Sequence, residues 1–297
     1  MRIEELDEAQ ARVAVGGGPA GASAGGSATP RRAEWQPPVW LLVGLAAAYL
    51  AALAALAFLP GDTLLQRLTA LDAGICAQNP THSFFPAGQQ LPLCSRNTGI
   101  YIGFATTFLV LLGLGRLRAS RFPGRWVAAI LGLAVLAMAV DGFNSLFLDL
   151  GLPHPYPPHN LLRLATGLGT GVAMCAFIVP VANSLIWRDE DERSSFATPG
   201  ALAIMLPALL LVFLAVGGSP QVAPLLYPIA LLSTAGLVIA LSLVNLAFVL
   251  GAANRVGRIA TWRQFFPVYT IGLILALAEL VALSALKTSL LHALQPV

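Results

Sequence analysis

Apolar residues come in seven runs along this chain, at about 39–59, 97–115, 126–148, 161–187, 199–217, 224–250 and 265–286, with polar breaks between them. A helix rises about 1.5 Å per residue, so runs of roughly 19 to 27 residues are long enough to cross a hydrocarbon core about 30 Å thick. The pattern predicts an all-α fold, a polytopic transmembrane helical bundle of about seven spans. Pro180, Pro207, Pro228 and Pro267 fall inside runs and are expected as kinks whose freed carbonyls neighbouring helices satisfy. Most breaks are short, but residues 60–96 form a long one, expected to fold back over the mouth of the bundle. Residues 1–38 lie before the first run and contain GGGPAGASAGGSATPRR. Such a composition has little to bury and predicts a flexible tail preceding a bundle over 39–297.

Composition narrows the class. Apolar residues make up 57% and charged residues only 10% of the 297, against about 25% charged in soluble domains. A surface so poor in charge cannot face water on all sides, so the expected partner is the lipid bilayer. The net charge of +3 then concerns orientation rather than nucleic acid, which is not an expected partner. Thirteen of the 17 Lys and Arg residues fall in the N-terminal segment and alternate breaks, leaving Arg67, Arg96, Arg163 and Lys287 on the other side. Basic residues mark the cytoplasmic face. The N-terminus is therefore expected in the cytoplasm, the C-terminus outside, and the protein as multi-pass in the bacterial inner (plasma) membrane.

With that orientation, Cys76, Cys94 and all four histidines lie outside, and candidate chemistry gathers at the outer leaflet. Asp141 and Glu279 reach the outer third of their spans, while Arg96, Thr98 and Tyr101 enter one helix there and Arg163 and Thr166 another. Ionisable groups at membrane depth are costly unless paired or hydrated, which makes them functional candidates. Three readings stand side by side. Asp141 and Arg163 neutralise each other across a short loop; the arginines are interfacial anchors; or Arg96 and Arg163 clamp an anionic small molecule or lipid headgroup, two forks meeting phosphate or carboxylate oxygens at two helix starts. In the third, Asp141 orients an arginine and Tyr101 donates a hydrogen bond. RNTGIYIG at 96–103 and RLATGLGTG at 163–171 echo each other. Their small-xxx-small spacing lets two helices approach closely.

Cys76 and Cys94, 18 apart in the outer break, admit a disulfide or, with His82, a metal site. No phosphate-binding loop, zinc-protease motif or nucleophile elbow occurs, and no cofactor is implied. Enzymatic activity is left open. The alternatives to an anion site are a non-catalytic subunit of a larger membrane complex, and extracytoplasmic metal or thiol chemistry.

The stretch GICAQNPTHSFFPAGQQLPLCSRNTGIYIGF, followed by DGFNSLFLDLGL at 141–152 and LLRLATGLGTG at 161–171, resembles the signature of an uncharacterised prokaryotic membrane family, domain of unknown function 2085. Matching positions are Cys76, Pro80, Ser83, Phe84, Gly88, Pro92, Cys94, Arg96, Thr98, Gly99, Tyr101 and Gly103. The resemblance covers about residues 70–175. Ala77, His82 and Asn97 replace a histidine, an arginine and a cysteine of the family pattern, so a ligand set built from those positions loses members here. The family implies a membrane protein and no particular activity.

Overall fold

A computed structural model describes residues 38–294; the tail expected over 1–38 lies almost wholly outside them. Among the described residues nine α-helices carry the fold: α1 Val39–Ala57, α2 Leu64–Asp72, α3 Ser95–Gly113, α4 Arg125–Asp149, α5 Asn160–Ile186, α6 Pro199–Ala203, α7 Met205–Gly217, α8 Leu226–Ala252 and α9 Trp262–Leu294. The protein is an all-α helical bundle, and five helical stretches within it are long and apolar enough to cross a membrane. Helices α1 and α3 coincide with the other two apolar runs. The run at 199–217 is not one unbroken helix. It divides at Ile204 into α6 and α7, with Thr198 capping the first by accepting the Ala201 N–H. Pro207 and Pro228 fall in the first turns of α7 and α8, where a missing N–H leaves no bond unmade. Pro180 and Pro267 interrupt helix interiors.

Helix α5 is the most buried of these long apolar helices, and the reason is its glycines. Helices α3 and α5 both begin at the same end and lie side by side in parallel. A methyl group on Gly99 would stand 2.5 Å from the Leu164 carbonyl, and one on Gly103 2.6 Å from that of Leu168. Gly167 and Gly171 answer from α5 by abutting the Arg96 and Ile100 carbonyls. Backbone meets backbone, as lipid-immersed helices require when no hydrophobic gain drives them together. Gly236 of α8 packs the same way on the Tyr101 carbonyl, and Gly272 of α9 on that of Ser242. Helices α4 and α7 stay peripheral, with Leu133, Leu136, Phe143, Leu206, Leu210 and Leu211 exposed, as expected of lipid-facing surfaces.

The end opposite the N-termini of α3 and α5 is closed by a small parallel pair, β1 Ala119–Arg121 and β2 Asp191–Ser194. Asn183 fastens it from α5. Its amide donates at 2.8 Å to both the Leu117 and Ala119 carbonyls, and its oxygen accepts the Trp187 indole N–H at 3.0 Å. Asn183→Ala would strand the buried Ala119 carbonyl and Trp187 indole N–H and the half-buried Leu117 carbonyl, at about 1–3 kcal/mol for a buried unsatisfied partner. A lowered thermal midpoint in detergent, together with faster cleavage of the 117–125 connection by added protease, is the expected readout. A groove of about 980 Å³ opens at this end among Phe108, Trp187, Ile239, Trp262, Phe265 and Tyr269. It is lined mainly by apolar side chains and holds none of the candidate residues.

Candidate functional site

The other end holds the polar groups. On α4 the spacing of Asp141, Asn144 and Ser145, three and four residues apart, puts all three on one buried face. Arg96 reaches across from the first turn of α3. Its Nη2 donates to Asp141 Oδ2 at 2.6 Å, to the Asp141 carbonyl at 3.1 Å and to Ser145 Oγ at 3.1 Å. Arg163, from the first turn of α5, donates through Nε to the same Ser145 hydroxyl at 3.4 Å and through Nη1 to Asn160 Oδ1 at 2.8 Å. Ser145 thus bridges two guanidiniums, and the close helix pairing described above is what brings them there.

The balance of charge in this cluster is uneven. Asp141 is 1% exposed and is spent on Arg96. Arg163 is only 4% exposed, and among the described residues no carboxylate lies within ion-pair distance of it. The expectation that Asp141 and Arg163 pair is therefore corrected: Asp141 takes Arg96. Arg163 is held by an amide and a hydroxyl and has no carboxylate in direct contact among the described residues. Arg96 also has a buried Nε without a partner among the described residues.

The loop from α4 to α5 supplies a residue that the sequence pattern does not single out. Tyr156 donates its hydroxyl to Asp141 Oδ1 at 3.2 Å, while Asn144 holds its backbone through bonds of 2.9 and 3.4 Å. Loss of solvent and the Asp141 charge push the Tyr156 phenol above its ordinary range. A connection joining the helices of Asp141 and Arg163 must pass over both, and its one phenol was the available signal. The 141–145 spacing was the signal for Asn144 and Ser145.

Other candidates stand elsewhere. Thr98 is fully buried and donates to the Leu93 carbonyl at 3.0 Å. Thr166 donates to the Leu162 and Arg163 carbonyls of its own helix. Both hydroxyls are thereby occupied. Tyr101 packs on the far side of α3 with Leu71, Leu237 and Leu280, away from the arginines; the phenol on Asp141 is Tyr156. Glu279 accepts from Asn245 at 3.1 Å and stays outside the cluster. His82 turns toward Asp149, Nε2 lying 3.3 Å from Oδ1, and burial and the Arg163 charge hold its pKa down. It does not join Cys76 and Cys94. Among the described residues no three His, Cys, Asp or Glu side chains are gathered as a metal ion would need.

A second buried cluster forms where α2 meets α8 and α9. Asp72 is fully buried, accepts the Thr234 hydroxyl at 2.7 Å through Oδ2, and leaves Oδ1 unpartnered among the described residues. Lys287 Nζ reaches the Cys76 and Ala73 carbonyls at 2.7 and 3.0 Å, and Ser284 the Ala70 carbonyl at 2.6 Å. Desolvation pushes the Asp72 pKa up to about 7, against the lowering effect of Thr234. The unfolded chain ionises at about 3.9 and the fold only at about 7. Between those values the folded state therefore binds the extra proton, and stability is lost as pH rises through them. Thermal midpoints measured across that window should show Asp72→Asn flattening the decline, with the two proteins converging in slope above it.

Residues 76–177, which include α3, α4 and the arginine cluster, match a family model described as "Predicted membrane protein (DUF2085)". An uncharacterised protein of Methanocaldococcus jannaschii is 32% identical over 114 residues, 38% of this chain and 67% of its own length. One from Methanothermobacter thermautotrophicus is 35% identical over 115 residues, 38% and 90% respectively. No solved structure matches the chain. Helices α7 to α9 lie outside the family match.

Proposed function

The chain belongs to the family of predicted membrane proteins known as domain of unknown function 2085, and on that premise we propose that it binds an anionic small molecule or lipid headgroup between the first turns of α3 and α5. The observation that carries this reading is Arg163, a buried cation with no carboxylate at ion-pair distance among the described residues. A buried charge without a carboxylate in direct contact is costly, and a phosphate or carboxylate oxygen would supply that contact. Arg96 stands beside it through Ser145, oriented by Asp141, and remains 21% exposed, so a ligand has a way in. Helix N-termini add partial positive charge at the same place.

The same reading sets the protein in the plasma membrane as a multi-pass chain with this end outside. Support comes from the opposite end, where Arg116, Arg118, Arg121, Arg125, Arg188 and Arg193 lie in or near β1 and β2, a concentration of basic residues of the kind that cytoplasmic faces carry.

Native mass spectrometry tests it on the full chain in phosphatidylglycerol nanodiscs and, separately, in phosphatidylcholine nanodiscs with added inorganic phosphate. A retained lipid in the first or a phosphate adduct in the second identifies the source of the anion. Arg163→Gln is expected to weaken retention by about 10- to 100-fold, the worth of a hydrogen bond to a charged group. Retention equal in variant and wild type would sink the reading. A stoichiometric partner subunit held unchanged by the variant, with no anion on either protein, would replace it with that of a structural subunit.

A further inference from the structure

The turn between α2 and α3 is built around a sulfur. Cys76 Sγ accepts two backbone hydrogen bonds, from the Cys94 N–H at 3.2 Å and the Gln78 N–H at 3.4 Å. Cys94 is the N-cap of α3, a helix of 19 residues, so the Cys76 sulfur sits at a helix N-terminus as well. Such a setting favours a thiolate.

Gln78 holds its position at a cost. Its φ is +59°, a conformation a non-glycine residue adopts only when its surroundings impose it. Three side-chain bonds do so: Gln78 Nε2 donates at 2.8 Å to both the Thr69 and Pro92 carbonyls, and the Gln78 carbonyl accepts Gln90 Nε2 at 2.8 Å. Two buried polar atoms nearby have no partner among the described residues, Asp72 Oδ1 and the hydroxyl of Ser95 beside Cys94. Asp72 is close enough to act electrostatically on Cys76. A connection serving only to join two helices would need neither the strained residue aimed at a sulfur nor an orphaned carboxyl within electrostatic range of it.

We infer that Cys76 and Cys94 are a redox-active dithiol/disulfide pair that exchanges with external thiols, Cys94 being the sulfur attacked and Cys76 the sulfur that leaves. Accessibility assigns the roles, because Cys94 is half-buried and Cys76 buried. In the oxidised form an external thiolate attacks Cys94 Sγ. The disulfide's bonding electrons pass to Cys76, which leaves as a thiolate received by the two N–H groups. A second external thiolate attacks the incoming sulfur of the mixed disulfide and releases Cys94. Two external thiols are thereby oxidised to one disulfide, and the pair is reduced by two electrons. Of the two protons given up, one returns to Cys94. The other passes to solvent while Cys76 remains ionised. The Cys94 side chain, with help from both N–H groups, pulls the Cys76 pKa down to about 6, while the partner thiolate and burial push that of Cys94 up. Stabilising the reduced form in this way makes the disulfide a ready oxidant, since a thiol of low pKa is a good leaving group.

The test equilibrates the purified full chain in mixtures of reduced and oxidised glutathione, quenches with acid, and counts free thiols by maleimide mass-tagging. Cys175, fully buried in α5, is the unreactive internal reference. The expected result is reversible, paired loss and recovery of two thiols across the mixtures. Cys76→Ser should trap glutathione on Cys94, and Cys94→Ser should trap it on Cys76 several-fold more slowly. A disulfide that survives excess reduced glutathione would overturn the inference, as would thiols that stay reduced in excess oxidised glutathione. Both outcomes are read on the wild type, so a variant that fails to fold does not obscure them.

Discussion

Gly171→Ala should separate α3 from α5 and lower the thermal midpoint by about 5–10 °C, a loss near the upper end of the roughly 1–3 kcal/mol typical of overpacking. The added methyl would run into the Ile100 carbonyl and stand 2.6 Å from the Phe104 nitrogen. Side chains can rotate out of the way of a methyl group, but a helix backbone cannot. Gly132 is the control. It lies in α4, and a methyl group added there would find nothing within 4 Å, so Gly132→Ala should be neutral or stabilise by up to about 1 kcal/mol through helix propensity alone. Fluorescence-detected size exclusion after graded heating reads both. If the two variants melt together, backbone contact does not hold α3 against α5.

Asp141→Asn is expected to be the most damaging single change in the polar cluster, at about 3 kcal/mol, the low end for removing one partner of a buried ion pair because Arg96 is partly exposed. The amide keeps the shape but leaves Arg96 and Arg163 both cationic on either side of Ser145. A consequence distinguishes a ligand site from a structural pair. With the internal carboxylate gone, inorganic phosphate should restore part of the lost thermal stability of Asp141→Asn, by an amount that grows with concentration, while barely moving an Arg163→Gln, Asp141→Asn double variant. Equal response of the two would mean that the arginines do not cooperate on an anion.

Much of this is readable from residue order. Apolar runs place most of the long helices, though not the short α2 or the extension of α9 to Leu294, because a helix crossing lipid must satisfy its own backbone and can hide no long polar stretch. The echo of RNTGIYIG in RLATGLGTG foretells the parallel pair, since glycine four apart is the way two backbones come within van der Waals reach. Membrane depth brings Arg96, Arg163 and Asp141 to one level. Depth says nothing of azimuth, however, and that is why Tyr101 is expected in the cluster and stands instead against Leu71, Leu237 and Leu280. The phenol that does reach Asp141 comes from a proline-rich loop without periodicity.

By itself, then, the sequence determined that this is an all-α membrane protein, roughly where its long apolar helices lie, and which two of them touch along glycine. These follow from local composition and spacing, which act over a few turns of helix. Tertiary structure alone decided that Asp141 takes Arg96 and leaves Arg163 without an ion-pair contact among the described residues, that Tyr156 replaces Tyr101, that His82 goes to Asp149, and that the Cys76 sulfur lies under the N–H of the residue capping α3. Each depends on the rotation of a helix about its own axis or on the path of a loop, and those are set by packing against neighbours distant in the chain.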